Sequence, residues 1–230
     1  LDYPDPPDVF ARAETTGRTR ELEDRCIASA FQAAVSAAVS ADCWLFVNLE
    51  STVSSVSMIS GHIDDRVVFE LTERRLLGHP GALLQKVDVL RSQGFAIALD
   101  DVGTTPDSLA MLDVICPDII KLEPALIGQE ANNEHVRTLA AVLAHRERTG
   151  ATILVEGIET SAQLERARAI GATLGQGFRF GRPVPTVDRS DRTTPWSPER
   201  VKPPPPVGST TPFGIVANST AVRVERRDTL

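Results

Sequence analysis

Cysteine, histidine and aromatic residues are all scarce in this 230-residue sequence. It has three cysteines and four histidines, and aromatic residues make up 5% of the chain. An odd number of cysteines without a Cys-x-x-Cys pair does not build a disulfide framework, and it favours a protein of the reducing cytoplasm. The histidines are scattered, and none has the His-Glu-x-x-His spacing of a zinc enzyme. These shortages exclude disulfide-rich scaffolds and argue against a zinc site.

An excess of positive charge and a long apolar run are also missing. The chain has 24 basic and 31 acidic residues, which gives a formal net charge of −7. Because nucleic-acid-binding domains need a basic face, we expect no nucleic-acid partner, and an anionic ligand would have to be attracted by metal ions. No segment reaches the roughly 18 apolar residues that span a bilayer, so the sequence predicts no membrane segment.

Apolar strands and amphipathic helices alternate along most of the chain, and 42% of the residues are hydrophobic. We predict helices at 21–39, 82–93, 108–114, 134–148 and 161–170, the one at 134–148 ending at Gly150. We predict strands at 43–49, 67–71, 95–99, 118–122, 152–156 and near 175–178. This alternation predicts one large α/β domain with a parallel sheet, and the nearly continuous apolar strands indicate that both faces of the sheet are buried.

The two ends of the sequence are rich in proline. A Pro-rich turn at 3–7 opens the chain, and the region 182–212 holds nine of the sixteen prolines. Runs of proline form stiff polyproline II linkers. We therefore predict a globular domain over 1–187, a linker over 188–212, and the start of a further domain or a disordered tail over 213–230. Because the chain begins at Leu1, we also expect it to be a piece of a longer polypeptide.

Two adjacent carboxylates, Asp100 and Asp101, follow the apolar strand at 95–99. Like charges this close repel each other, and they persist when one takes up a proton or when a cation neutralises both. An aspartate at such a point could also cap a turn or a helix. Because the carboxyl ends of strands are where α/β enzymes build their sites, the pair indicates a divalent metal site.

Each of the other predicted strands also has a polar residue near its carboxyl end. Taken singly, such a residue could open a turn or lie on the surface, and Lys121 could pair with Glu123. Together they predict one shared site, because the ends of parallel strands converge on one face. Carboxylates and an amide oxygen suit Mg²⁺ or Mn²⁺, and several carboxylates suit the two-metal sites that hydrolyse phosphate esters, where a lysine can orient the attacking water. The residues of this layer are Asn48, Glu70, Asp100 with Asp101, Lys121, Glu156 and Gln176.

These residues lie in short motifs that follow one another in a fixed order. The motifs are Val47-Asn48-Leu49, Glu70-Leu71-Thr72-Glu73, Leu99-Asp100-Asp101-Val102-Gly103-Thr104, Ile120-Lys121-Leu122-Glu123, Glu156-Gly157-Ile158-Glu159-Thr160 and Gly175-Gln176-Gly177. The order resembles that of the EAL-domain phosphodiesterases of bacterial cyclic di-GMP signalling, from about residue 5 to 185. The resemblance implies a TIM-like (β/α)₈ barrel that hydrolyses cyclic di-GMP to linear pGpG with Mg²⁺ or Mn²⁺ in a two-metal site.

The resemblance also implies roles for single residues. Asn48, Glu70 and Asp100 would bind metal, Asp101 would serve a second metal, and Glu156 would bind a metal or its water. It further implies a homodimer, and a longer protein in which the domain accompanies a sensor or a diguanylate cyclase domain.

Other implied roles concern the water, the ligand and the loop after the aspartate pair. Lys121 would position or help to activate the water, and Gln176 and Asn48 would contact the ligand. The residues that would support the loop are Glu73, Gly103, Thr104 and Glu159.

Three features depart from the family pattern. The Glu-x-Leu-x-Arg strand that names the family is absent, and with it the first two barrel strands, a metal-binding glutamate and a ligand-binding arginine. Thr105-Pro106-Asp107 stands where the family has Gly-Tyr-Ser, and Leu122-Glu123 replaces Ile-Asp. The altered loop and the missing glutamate motivate an alternative, a catalytically inactive domain that acts as a cyclic di-GMP receptor or scaffold. A further alternative is an unrelated metal-dependent barrel, such as an aldolase or a glycerophosphodiester hydrolase.

Overall fold

A computed structural model describes residues 6–36, 43–49, 67–72, 80–103, 108–128, 132–182, 215–216 and 221–223. The α-helices in these ranges are α1 (Pro6–Thr15), α2 (Thr19–Ser36), α3 (Pro80–Ser92), α4 (Ser108–Ile115), α5 (Asn133–Thr149) and α6 (Ser161–Ala169). The strands are β1 (Cys43–Asn48), β2 (Val67–Thr72), β3 (Ala96–Val102), β4 (Ile119–Leu122), β5 (Thr152–Val155), β6 (Leu174–Gln176), β7 (Ile215–Val216) and β8 (Ala221–Arg223). Short 3₁₀ helices at Pro124–Ile127 and Phe178–Phe180 follow β4 and β6.

The strands form one sheet in which β1 to β6 lie side by side in chain order, and all neighbours among these six are parallel. Helices α3 to α6 connect the strands from β2 to β6. The short strands β7 and β8 lie at the edges, β7 parallel to β1 and β8 antiparallel to β6. This curled sheet with its helices is a partial barrel, which confirms the predicted TIM-like α/β fold.

The two faces of the sheet have separate apolar cores. Side chains alternate between the faces of a strand. On the outer face, Phe69, Ile97 and Leu99 pack with helix residues such as Leu83 and Leu90 of α3. A second cluster contains only strand residues, as expected for the interior of a barrel. We call it the inner apolar cluster, and its members are Trp44, Phe46, Val68, Ala96, Ala98, Ile119, Leu154 and Leu174.

Side-chain caps begin the two helices that flank β5. Asn132 accepts a hydrogen bond from the backbone N–H of His135 at the start of α5, and Gly150 ends that helix with a φ of 77°, as predicted. Thr160 and Gln163 form a capping box at the start of α6. Since α6 begins shortly after the carboxyl end of β5, this cap fixes the loop that follows Glu156.

Two elements differ from the sequence predictions. The turn predicted at 3–7 extends too far, because residues 6 and 7 belong to α1, which begins at Pro6. Proline is well suited to a first helical turn, where its missing N–H would have no partner. The 3₁₀ helix Pro124–Ile127, with Leu126 and Ile127 buried, was not predicted.

Several predicted regions lie outside the described residues. They include 37–39 of the first predicted helix, the linker at 188–212 and most of 213–230, so the domain boundaries stay predictions. Among the helices that the structure does describe, none is both long and apolar enough to cross a membrane.

Candidate metal centre

A layer of polar side chains lies at the carboxyl end of the sheet's inner face. Side chains two positions apart on a strand point to the same face. On every strand from β1 to β6, the polar residue lies two positions after a member of the inner apolar cluster. Strand pairing places neighbours such as Asn48 and Glu70 side by side. The members of this polar layer are Asn48, Glu70, Asp100, Lys121, Glu156 and Gln176.

Asp101 joins the layer because β3 is irregular at its end. In a regular strand, Asp101 would point to the face opposite Asp100. Instead, the pairing of β3 with β4 shifts register between Leu99 and Val102, and Asp101 has a left-handed φ of 57°. Its backbone N–H donates to Asp100 Oδ1 at 3.0 Å. Residues other than glycine rarely adopt this conformation, and such strain is concentrated at functional sites.

Lys121 is buried among three carboxylates. Its Nζ lies 2.6 Å from Glu70 Oε1, 2.8 Å from Asp100 Oδ1 and 2.9 Å from Glu156 Oε1. The lysine side chain is only 4% exposed. Because an ammonium group loses its hydration when it is buried, it needs such surrounding acceptors to remain charged. The three partners come from three different strand ends, so the folded sheet assembles the cluster.

The carboxylates outnumber the lysine, and their oxygens are placed as cation ligands. Asp100, Asp101 and Glu156 each offer an oxygen, and these oxygens all lie within 4.8 Å of one another. Glu70 Oε1 is buried and lies 2.6 Å from Lys121 Nζ. A buried carboxylate oxygen at this place can also accept a cation. An all-oxygen set of this kind suits hard divalent cations, so the residues fit the predicted metal.

The electrostatics of the cluster favour added positive charge. Burial raises the pKa of both Glu70 and Glu156; Lys121 opposes this shift and Asp100 adds to it. Burial alone would lower the pKa of Lys121, but the surrounding carboxylates raise it well above its usual range. Lys121 therefore stays protonated at neutral pH, and it acts as a cation and hydrogen-bond donor rather than as a base.

Glu123 is a further carboxylate near the site; from the sequence it was interpreted as a family replacement and as a possible partner of Lys121, and not as a site residue. Burial raises its pKa, and the negative charges of Asp101 and Asp100 raise it further, so Glu123 interacts with the pair. The signal was present in the sequence. Glu123 lies two positions after Lys121, and strand alternation carries both toward the same face.

The other predicted residues lie around this cluster or outside the described part of the chain. Asn48 and Gln176 belong to the polar layer on β1 and β6, beyond the ion pairs of Lys121. Glu159 is exposed, and its backbone N–H donates to Gln163 at the start of α6. Gly103 lies directly after β3. The predicted positions outside the described residues are Glu73, Thr104 and the altered loop at 105–107.

The family model for the EAL domain matches residues 1–183. The chain belongs to the EAL domain family. It is similar to the probable cyclic di-GMP phosphodiesterase PdeG of Escherichia coli, with 36% identity over 126 residues, which are 54% of this chain and 25% of PdeG. It is also similar to the cyclic di-GMP phosphodiesterase RocR of Pseudomonas aeruginosa, with 31% identity over 120 residues, which are 52% of this chain and 31% of RocR. This EAL chain thus spans less than a third of the length of either relative.

Solved EAL structures have the same fold. The manganese and cyclic di-GMP complex of Klebsiella pneumoniae BlrP1 matches with a TM-score of 0.67 and 25% identity, over 77% of this chain and 48% of that one. The EAL domain protein of Listeria monocytogenes matches with a TM-score of 0.66 and 21% identity, over 78% of this chain and 75% of that one. At its identity, the second match shows the fold alone.

Proposed function

We propose that this EAL chain hydrolyses cyclic di-GMP to linear pGpG in bacterial signalling, as one domain of a longer protein. The observation that carries the proposal is the buried Lys121 held by three carboxylates, with Asp101 turned into the same cluster. Relatives that are named cyclic di-GMP phosphodiesterases support it. Further support comes from a structural neighbour whose complex contains manganese and cyclic di-GMP.

The carboxylates of the polar layer would hold the metal. Asp100, Asp101 and Glu156 form the candidate ligand group, with Glu70 and Asn48 beside them. We propose Mg²⁺ or Mn²⁺, in a two-metal arrangement, because four carboxylates gather at one place. Bound there, such cations stabilise negative charge on the phosphate and make water a stronger nucleophile.

Lys121 supplies a fixed positive charge beside the reacting phosphate. Because its pKa is raised, Lys121 donates hydrogen bonds to the attacking water or to a phosphate oxygen and does not take up a proton. Its carboxylate partners hold Nζ in place, so little reorganisation is needed during the reaction. The water oxygen bonds to phosphorus and the P–O3′ bond breaks. One proton of the water is transferred to the 3′-oxygen, which leaves as a hydroxyl, and the 5′-phosphate of pGpG is formed.

The cellular compartment of the domain and its partners are part of the same proposal. We place it in the cytoplasm, because Cys26 and Cys116 are free and exposed, as in a reducing compartment. A sensor or a diguanylate cyclase domain in the same protein, and a homodimer, are further parts of the proposal.

The test is hydrolysis of cyclic di-GMP by the full-length protein that contains this chain, with Mn²⁺ present and pGpG measured by chromatography. We expect turnover, and we expect Asp100→Asn to lower it by at least about 100-fold, the scale of one lost electrostatic contact in an active site. Asp113→Asn is the matched control, since Asp113 is an exposed carboxylate on α4. Absence of turnover, or unchanged turnover in Asp100→Asn, would overturn the proposal, and binding without turnover would indicate a receptor.

A further inference from the structure

The 3₁₀ helix Pro124–Ile127 lies between the two chain segments that follow the candidate metal ligands. In the sheet, β4 lies between β3 and β5. Asp100 and Asp101 lie on β3, and Glu156 follows β5 directly. The 3₁₀ helix begins two residues after β4 ends, so its flanks face the chain segments that leave the two neighbouring strands.

On the side of β3, this 3₁₀ helix touches Gly103. Gly103 has a φ of 105°, and a methyl group on its Cα would lie 2.3 Å from Leu126 Cδ1 and 2.9 Å from Leu126 Cγ. The Gly103 N–H also donates to the buried hydroxyl of Ser108 at 3.1 Å. The backbone two residues after Asp101 is therefore held between Leu126 and Ser108.

On the side of β5, the 3₁₀ helix touches Gly157, which follows Glu156 directly. Gly157 has a φ of 57°, and a methyl group there would lie 2.4 Å from Pro124 Cγ. Such a separation is far below an ordinary van der Waals contact. Glycine at both positions lets the two loops approach the 3₁₀ helix more closely than a side chain would allow.

The 3₁₀ helix is itself fixed from behind. Leu126 is 2% exposed and Ile127 is 3% exposed. Arg166 on α6 donates from its Nε to the backbone oxygen of Ile127. The element therefore has a packed interior side, an anchor to a capped helix, and two flanks in contact with the carboxylate loops.

We propose that the 3₁₀ helix Pro124–Ile127 sets the distance between the Asp100–Asp101 end of β3 and Glu156, with Leu126 and Arg166 as positioning residues. The inference rests on the proposed metal-dependent function. Ligands from separate strands must be held to within about 0.5 Å to bind one cation well. Groups that orient metal ligands typically contribute about 10–100-fold to affinity. A single element that contacts both loops provides this support.

The test is Mn²⁺ binding by the full-length protein, measured by calorimetry at a temperature where circular dichroism shows every variant to be folded. We expect Leu126→Ala to weaken binding by about 10-fold, because the space beside Gly103 opens. Arg166→Met should also weaken Mn²⁺ binding, because the hydrogen bond to the Ile127 carbonyl is lost. Leu90→Ala on α3 is the matched control, a fully buried leucine packed against the outer face of the sheet. It should lose stability and keep its affinity for Mn²⁺.

A second pair of variants tests the contact on the side of β5. Gly157→Ala should weaken Mn²⁺ binding, and adding Pro124→Ala should restore part of it, because the ring atom nearest to the new methyl group is removed.

Three outcomes distinguish the positioning role from the metal site and from the proposed activity. Unchanged Mn²⁺ affinity in Leu126→Ala, or an equal loss in Leu90→Ala, would overturn the positioning role. No Mn²⁺ binding by the wild-type protein would overturn the metal site and the positioning role together. Loss of affinity in Leu126→Ala without any hydrolysis by the wild-type protein would support the positioning role and overturn only the proposed activity.

Discussion

Two charged clusters of this protein have opposite ratios of acidic to basic side chains. At the polar layer, one lysine is surrounded by three carboxylates, and its side chain is 4% exposed. Between α4 and α5, one carboxylate contacts two basic side chains. Asp113 Oδ1 accepts a hydrogen bond from Arg148 at 2.6 Å and lies 3.2 Å from His145 Nδ1. Asp113 and Arg148 are 68% and 61% exposed.

The difference between these clusters shows where the fold leaves a charge to be balanced. Water can compensate any imbalance around Asp113, and exposed ion pairs of this kind contribute little to stability. Water cannot do so around the buried Lys121, where the carboxylates exceed the lysine in number. The surplus negative charge is balanced by protons or by a metal cation. The buried, unbalanced cluster is thus the candidate binding site, whereas the exposed Asp113–Arg148 pair links two helices.

The largest expected effect comes from removing the lysine. Lys121→Met leaves the buried Glu70 facing two partly buried carboxylates, and we expect the free energy of unfolding of the metal-free protein to fall by about 3–5 kcal/mol. Mn²⁺ should restore more stability in this variant than in the wild type. Urea unfolding with and without Mn²⁺ measures both effects. Arg148→Met is the control from the exposed Asp113–Arg148 pair, with a much smaller expected loss. Equal losses in the two variants would remove the distinction between the clusters.

A second prediction concerns pH. Since the pKa values of Glu70 and Glu156 are raised, Mn²⁺ must compete with protons, and its affinity should fall between pH 7 and pH 5. In the metal-free protein the same raised pKa values favour the folded state at low pH, and this stability is lost as the pH rises through them. Calorimetric titrations at several pH values measure the slope, which Glu70→Gln should flatten. A wild-type affinity that is constant over this range would contradict the prediction.

A third prediction compares two residues with a strained backbone, one at the metal centre and one near the Asp113 cluster. Asp101 at the metal centre has a φ of 57°, and Cys116, which follows α4, has a φ of 47°. Cys116→Gly should raise the free energy of unfolding by about 1 kcal/mol, because glycine adopts this conformation without strain. Asp101→Gly relieves the same strain, and it should lose Mn²⁺ affinity. Thermal melts test Cys116→Gly and Mn²⁺ titrations test Asp101→Gly, and full Mn²⁺ affinity in Asp101→Gly would show that the Asp101 carboxylate is not a metal ligand.

The smallest effect is expected at Asp113. Arg148, and then His145, lower the pKa of Asp113 by hydrogen bonding, so the ionised form stabilises the folded protein above that pKa. This contribution is lost as the pH falls through the lowered pKa. Asp113→Asn should therefore be slightly less stable than the wild type at neutral pH, and the two should converge in acid, at a pH below the lowered pKa. Denaturant midpoints at both pH values provide the comparison, and a difference that persists in acid would exclude this ion pair as its source.

The sequence alone predicted the strands and the polar layer well, because both depend on local periodicity. A strand alternates its faces every two residues, so Glu70 and Lys121 could be assigned to one face once their strands were recognised. Glu123 follows the same alternation, but it lies one residue past the end of β4 and was therefore not predicted to belong to the site. The 3₁₀ helix Pro124–Ile127 has too few residues to show a periodic pattern, and its place between two loops depends on the strand order.

The composition and spacing of the chain were enough to establish a parallel α/β sheet with one polar residue at each strand end, since these are properties of short segments. The closeness of the charges came from the folded chain. Residues as far apart as Glu70 and Glu156 contact one lysine because the curled sheet brings their strand ends together. Burial then raises the pKa of both glutamates, and a local break in β3 turns Asp101 toward Asp100. Desolvation and short contact distances, which exist only after folding, convert a row of polar residues into a cluster whose excess negative charge suits a cation.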